Sequence, residues 1–176
     1  MELAPILEKR FLNYPYSMWE PGWFLLTCGD FISKHFNCMT ISWGSTGIIW
    51  GRPFIMVVVR PQRYTYQFME QYNSFTVCAF PRQYRQALDL LGTKSGRDAN
   101  KIAESGLTPC ASEKVTSPCF IEAELVLECQ KIYWSDFDPN HFLDPEIIRN
   151  YPTQDYHRCY FGQILALRGV AKYDGG

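Results

Sequence analysis

The chain has 176 residues, of which 47% are apolar and 20% charged, with a formal net charge of −1. That length suits a single domain over 1–176, and it can bury a core without staples. The balanced charge excludes a broad basic field for nucleic acid or an anionic membrane, and no apolar run approaches the roughly 20 residues of a membrane span.

Seven cysteines stand at 28, 38, 78, 110, 119, 129 and 159 without a Cys-x-x-Cys pair, which argues against a zinc ribbon or a thioredoxin-type motif. Several lie in apolar runs such as Phe75-Thr76-Val77-Cys78-Ala79-Phe80, so they read as reduced, buried small hydrophobes. Free thiols in that number point to a reducing compartment. The start Met1-Glu2-Leu3-Ala4-Pro5 has no basic stretch feeding an apolar one, and a cytoplasmic location is expected. An aromatic share of 16% suits both a β-rich core and a planar ligand.

In chain order, residues 1–22 form an irregular lead-in with a short helix near Leu7–Phe11. Trp23–Cys28 is a compact apolar strand, turned by Gly29-Asp30. Asn37–Trp43 alternates, with Met39, Ile41 and Trp43 on one face and Thr40 and Ser42 on the other. Gly44-Ser45-Thr46-Gly47 reads as a turn before a β-branched strand, Phe54–Arg60. A helix is expected over Tyr64–Asn73, with Thr65 as its N-cap. A strand at Phe75–Phe80 follows, then short helices at Gln83–Leu91 and Ala99–Ser105, with Gly106 as C-cap. Phe120–Tyr133 is a long strand, Ser135–Asp155 a loop-rich insertion with a helical turn at Pro145–Arg149, and Tyr160–Leu167 the closing strand. The class is mainly β with helical insertions, best satisfied by a β-barrel.

Three segments place polar residues where a pure core would not. Thr40 and Ser42 could offer a row of hydroxyl donors to a planar heteroaromatic ligand, or could be the solvated face of an edge strand. Arg60-Pro61-Gln62-Arg63-Tyr64-Thr65 ends a strand and opens a helix, which suits a phosphate; the alternative is a loop whose arginines pair with surface carboxylates. Ser95-Gly96-Arg97-Asp98-Ala99-Asn100-Lys101 can cradle an anion, or can be a capped helix start. No Gly-x-Gly-x-x-Gly occurs, so a Rossmann site is excluded. His35, His141 and His157 share no ligand-like spacing, and no metal site is expected.

The order Asn37-x-Met39-Thr40-x-Ser42-Trp43, Arg60-Pro61-x-Arg63-Tyr64-Thr65, Ser95-Gly96-Arg97-Asp98-x-x-Lys101, with Pro118-Cys119-Phe120-Ile121-Glu122 and His157-x-x-x-x-Gly162-x-Ile164, resembles the flavin-reductase-like family and its flavoredoxin-like branch. The resemblance runs from about Trp23 to Val170. It implies an FMN-binding split β-barrel acting as a homodimer. Asn37, Met39, Thr40, Ile41, Ser42 and Trp43 would line the flavin ring; Arg60, Arg63, Tyr64 and Thr65, with Ser95, Gly96 and Lys101, would hold the phosphate. His157 would lie near the flavin or a nicotinamide. The implied activity is electron transfer from NADH or NADPH to bound flavin, with a carrier reduced by a redox protein partner as the alternative. The Ser135–Asp155 insertion has no counterpart in this resemblance.

Overall fold

The computed structural model describes residues 2–176. In chain order it runs β1 (Ala4–Pro5), α1 (Pro15–Ser17), β2 (Phe24–Asp30), β3 (His35–Ile41), β4 (Gly44–Ile49) and β5 (Arg52–Val59). It continues with α2 (Tyr64–Gln71), β6 (Ser74–Ala79), α3 (Arg85–Thr93), α4 (Lys101–Ser105), β7 (Pro109–Cys110), β8 (Cys119–Phe120), β9 (Leu125–Asp136) and β10 (Arg158–Gly169). Seven strands form one antiparallel path, β3-β2-β6-β9-β10-β5-β4, with β1 added on β10. The edge strands β3 and β4 follow each other in the chain yet do not pair. The barrel is therefore split, as the sequence led us to expect.

Its interior is built by strand alternation. Phe24, Leu26 and Cys28 of β2, Met39 and Ile41 of β3, Val57 and Val59 of β5, and Phe75 and Val77 of β6 share one core. Their neighbours Leu25, Cys38 and Cys78 point the other way, into a second cluster closed by Leu88 and Leu91 of α3. Burial on both faces explains why β2 reads as an unbroken apolar run rather than an alternating one. No helix of the described residues is long and apolar enough to cross a membrane.

The structure corrects four local expectations. Gly44-Ser45-Thr46-Gly47 is not a turn but most of β4, paired in register with β5 from Gly44↔Val57 to Ile49↔Arg52. The reversal falls on Trp50-Gly51, at φ 50° and 69°; two positive φ angles in a two-residue loop are what a twisted hairpin requires. Gly29-Asp30 continues β2, and the chain turns after it at 31–34, where Lys34 takes φ 58°. The long strand expected from Phe120 divides into β8 and β9. Finally, Thr65 does not cap α2: Arg63 holds the N-cap position in extended conformation without a side-chain bond, because the Thr65 hydroxyl accepts a hydrogen bond from Asn37 instead.

Candidate functional site

Where β5 hands over to α2, the segment 60–65 lies against the loop joining α3 to α4. A cavity of about 190 Å³ forms between them, lined by Asn37, Met39, Arg63, Tyr64, Thr65, Ser95, Gly96 and Lys101 of the expected site, with Gln62, Thr93, Lys94 and Arg97 beside them. Residues up to 64 positions apart in sequence are thus brought to one place. The hydrogen bond Asn37 Nδ2 to Thr65 Oγ1, 2.8 Å, joins β3 to α2. Because Thr65 accepts there, its own proton is free for a ligand. Gly96 is required by close approach: a Cβ on it would overlap Asn37 Oδ1 and press on the Tyr64 ring. Arg97 ties the two loops, its Nη1 donating to the Gln62 carbonyl at 3.1 Å and its guanidinium lying 4.9 Å from the Tyr64 ring centre.

The charges at this cavity are unbalanced. Lys101 is only 3% exposed, and its Nζ donates to the Leu91 carbonyl at 2.8 Å. Arg63 is half-buried and donates to the Gly92 carbonyl. Among the described residues neither of these cations, nor Arg97, has a carboxylate partner. Lys94 is paired with Glu104. Burial holds the Lys101 ammonium below its ordinary pKa, and Arg63 adds repulsion against a partial offset from Cys38. Arg63 is lowered too, by burial first and Arg60 second. Buried cations without counter-charge are costly unless an anion completes the site. Together with the open N-terminal turn of α2, this donor set fits a phosphate. The cavity is smaller than the roughly 300–1,000 Å³ of a whole-ligand pocket, so it would hold the phosphate end of a nucleotide and leave a ring system outside.

Arg60 is not part of this cradle. It pairs with Asp155 at 3.0 Å, donates to the Asn150 carbonyl at 2.7 Å and lies 5.1 Å from the Tyr151 ring centre. The insertion therefore takes one of the two guanidiniums expected at the phosphate. The expected row of hydroxyl donors on β3 is also broken. Thr40 gives its proton to the Leu88 carbonyl, because α3 packs on that face of the strand. Ser42, just past β3, remains half-buried.

Ile41 is buried in the core and Trp43 is exposed beside His157, ring centres 5.3 Å apart. His157 is 8% exposed, and its Nδ1 shares a 2.8 Å hydrogen bond with the Tyr151 hydroxyl. Burial, helped by Arg60 and opposed by Asp155, brings its pKa down to about 4, so the ring is neutral near pH 7. Burial also pushes the neighbouring Cys159 thiol up to about 11. Gln62, Thr93, Lys94 and Arg97 line the cavity without having been expected there; Gln62 and Arg97 lie inside motifs the sequence marked, and Arg97 carried a signal in its charge.

The sequence profile of the flavin reductase like domain matches residues 21–166. The chain belongs to that family. An uncharacterized protein of Pyrococcus abyssi is 26% identical over 133 residues, 74% of this chain and 64% of the relative, so the chain spans about two thirds of that relative's length. Among solved structures, the FMN-binding domain of a flavin reductases-like enzyme from Shewanella baltica superposes with a TM-score of 0.69 at 16% identity, covering 96% of this chain and 77% of that one. The flavoredoxin of Desulfovibrio vulgaris (Miyazaki F) does so with a TM-score of 0.66 at 24% identity, covering 98% and 78%. At these identities the likeness is one of fold.

Proposed function

We propose that this flavin reductase-like protein binds FMN and works as an oxidoreductase fed by NADH or NADPH. The observation that carries the reading is the phosphate-sized cavity holding Arg63, Arg97 and Lys101 without a carboxylate. In this reading Lys101, Arg63 and the Thr65 hydroxyl hold the FMN phosphate, helped by Ser95 and the closely packed Gly96 turn. Met39, Ser42 and Trp43 border the flavin, and His157 supplies a neutral ring fixed by Tyr151. The cofactor brings the two-electron chemistry, while the protein positions it and controls access.

A homodimer belongs to the same proposal. Trp50 of the β4–β5 turn, Tyr133 of β9, Phe161 of β10 and Phe54 of β5 make a run of touching rings, and Trp50 at its end is 63% exposed. Apolar surface of that kind on a sheet marks an interaction face.

One observation favours the second reading, a flavoredoxin-like carrier reduced by a protein partner. The insertion covers His157 with Tyr151 and Phe137, ring centres 5.5 and 6.3 Å away, which would restrict a nicotinamide's approach to that ring. The test is a visible spectrum of the protein with FMN, followed anaerobically by NADH and then NADPH. Flavin bands that bleach with a nucleotide support the reductase and name its donor. Bands that persist with both but bleach with dithionite support the carrier. Failure to take up FMN overturns the proposal.

A further inference from the structure

Five of the seven cysteines behave as expected of buried small hydrophobes. Cys28 and Cys38 are pushed up to about 12 by burial, Cys159 to about 11, and Cys78 and Cys129 are raised as well. Cys110 and Cys119 are different. They face each other across the β7–β8 pair, directly in register, with sulfurs 3.4 Å apart. Residues directly opposed in an antiparallel ladder have Cα atoms about 4.5–5.5 Å apart, inside the roughly 4.4–6.8 Å that a disulfide spans. The register and the sulfur separation thus place the pair within reach of a disulfide.

The surroundings favour a thiolate on one of the two. The hydrogen bond from Cys110, aided by Ser112 and Arg168, holds the Cys119 thiol below its ordinary value against the cost of burial. Arg168 Nη2 stands 3.7 Å from Cys119 Sγ and donates at 2.8 Å to Glu128. Glu128 is fully buried and accepts from the Glu113 and Lys114 amides. That carboxylate pins the loop between the two cysteines, as does the Ser112 hydroxyl on the Ser117 carbonyl at 2.6 Å. Cys119 is 2% exposed, whereas Cys110 is half-buried and open to a small reagent.

We propose that Cys110 and Cys119 form a redox-active dithiol that a small-molecule disulfide oxidises reversibly. The half-buried Cys110 sulfur, the more accessible of the two, attacks the reagent, its proton passing to Cys119; one thiol leaves and a mixed disulfide forms. Cys119 then loses a proton and attacks Cys110 Sγ, expelling the second thiol. One S–S bond breaks and one forms; the two electrons lost by the pair go to the two released sulfurs, which take up the pair's one proton and one from solvent. This site stands apart from the flavin reading and needs no flavin.

The test is the intact mass of the whole protein after equilibration in reduced-to-oxidised glutathione buffers, with quenching by acid. The expected result is a loss of about 2 Da that dithiothreitol reverses, as one disulfide requires. Trypsin cleaves after Lys114, between the two cysteines, so the oxidised protein should give one linked peptide pair, with Cys110 and Cys119 joined by fragmentation. Cys110→Ser should abolish the loss, and the wild-type peptide map decides if that variant does not fold. An unchanged mass in fully oxidised buffer, a bond to any other cysteine, or a bond formed only in denaturant overturns the proposal.

Discussion

Lys101 brings a positive charge to a place where only a carbonyl meets it, and its stem is buried whether or not the charge is answered. Replacing it with methionine keeps the stem and removes the charge. Each charge-assisted hydrogen bond is worth about 1.5–3 kcal/mol, so Lys101→Met should weaken FMN binding by roughly tenfold to a hundredfold. Arg63→Ala combined with it should weaken binding further, as read by quenching of flavin fluorescence; full retention of FMN in the double variant would refute the phosphate assignment. The same lysine sets a pH dependence. Its pKa is lowered in the ligand-free protein, and a bound phosphate restores it, so FMN affinity should fall as pH rises through the lowered value.

His157 gives the opposite limb. Its folded pKa of about 4 lies below the ordinary 6.5, so between those values the unfolded chain binds more protons and stability rises with pH. Acidification from 6.5 to 4 should therefore cost up to about 3 kcal/mol. Asp155, held low by hydrogen bonds from Thr153, Arg60 and Gln62 against its desolvation, extends the loss to lower pH. In urea unfolding across pH, His157→Gln should flatten the limb between 6.5 and 4 and leave the lower one.

At the scale of elements, the site is a meeting of turns. The Ser95–Asn100 loop reaches β3 only because Gly96 presents no side chain to Asn37. Gly96→Ala should cost about 1–3 kcal/mol by overpacking, which lowers the melting temperature by about 2–4 °C per kcal/mol in a chain of this size. It should also loosen FMN binding, since the displaced loop carries Ser95 and Arg97 and leads into Lys101 at the start of α4. Calorimetry alongside a flavin titration checks both; a variant with unchanged melting and affinity would contradict the packing argument. The motifs that make these turns were readable because each has its own local chemistry: arginines at a helix start, a serine–glycine turn before a lysine. β4 was not readable. Its glycines are local turn signals, and only pairing with β5 makes them extended. Thr40 shows the same limit: alternation gave its face correctly, but α3 arriving from 48 residues away consumed its hydroxyl.

For the whole molecule, the aromatic run on the outside of the sheet and the proposed dimer stand or fall together. Trp50→Lys places a charge at the end of that run without touching the core, since Trp50 is 63% exposed and meets the Tyr133 ring. It should weaken dimerisation at least about tenfold, or about 1.4 kcal/mol, shifting sedimentation toward the monomer. A wild type that is monomeric at all concentrations would dispose of the dimer.

The sequence by itself determined the mainly β class, because strand alternation acts over a few residues; its ordered motifs carried the resemblance to the split-barrel family and marked most of the residues that line the cavity. Tertiary structure alone decided which charges remained unpaired. Asp155 neutralises Arg60 from 95 positions away, while Arg63 and Lys101 are left facing one cavity. It also decided that two cysteines nine residues apart meet across a ladder, a juxtaposition that local spacing does not encode because the loop between them is folded by the buried carboxylate of Glu128.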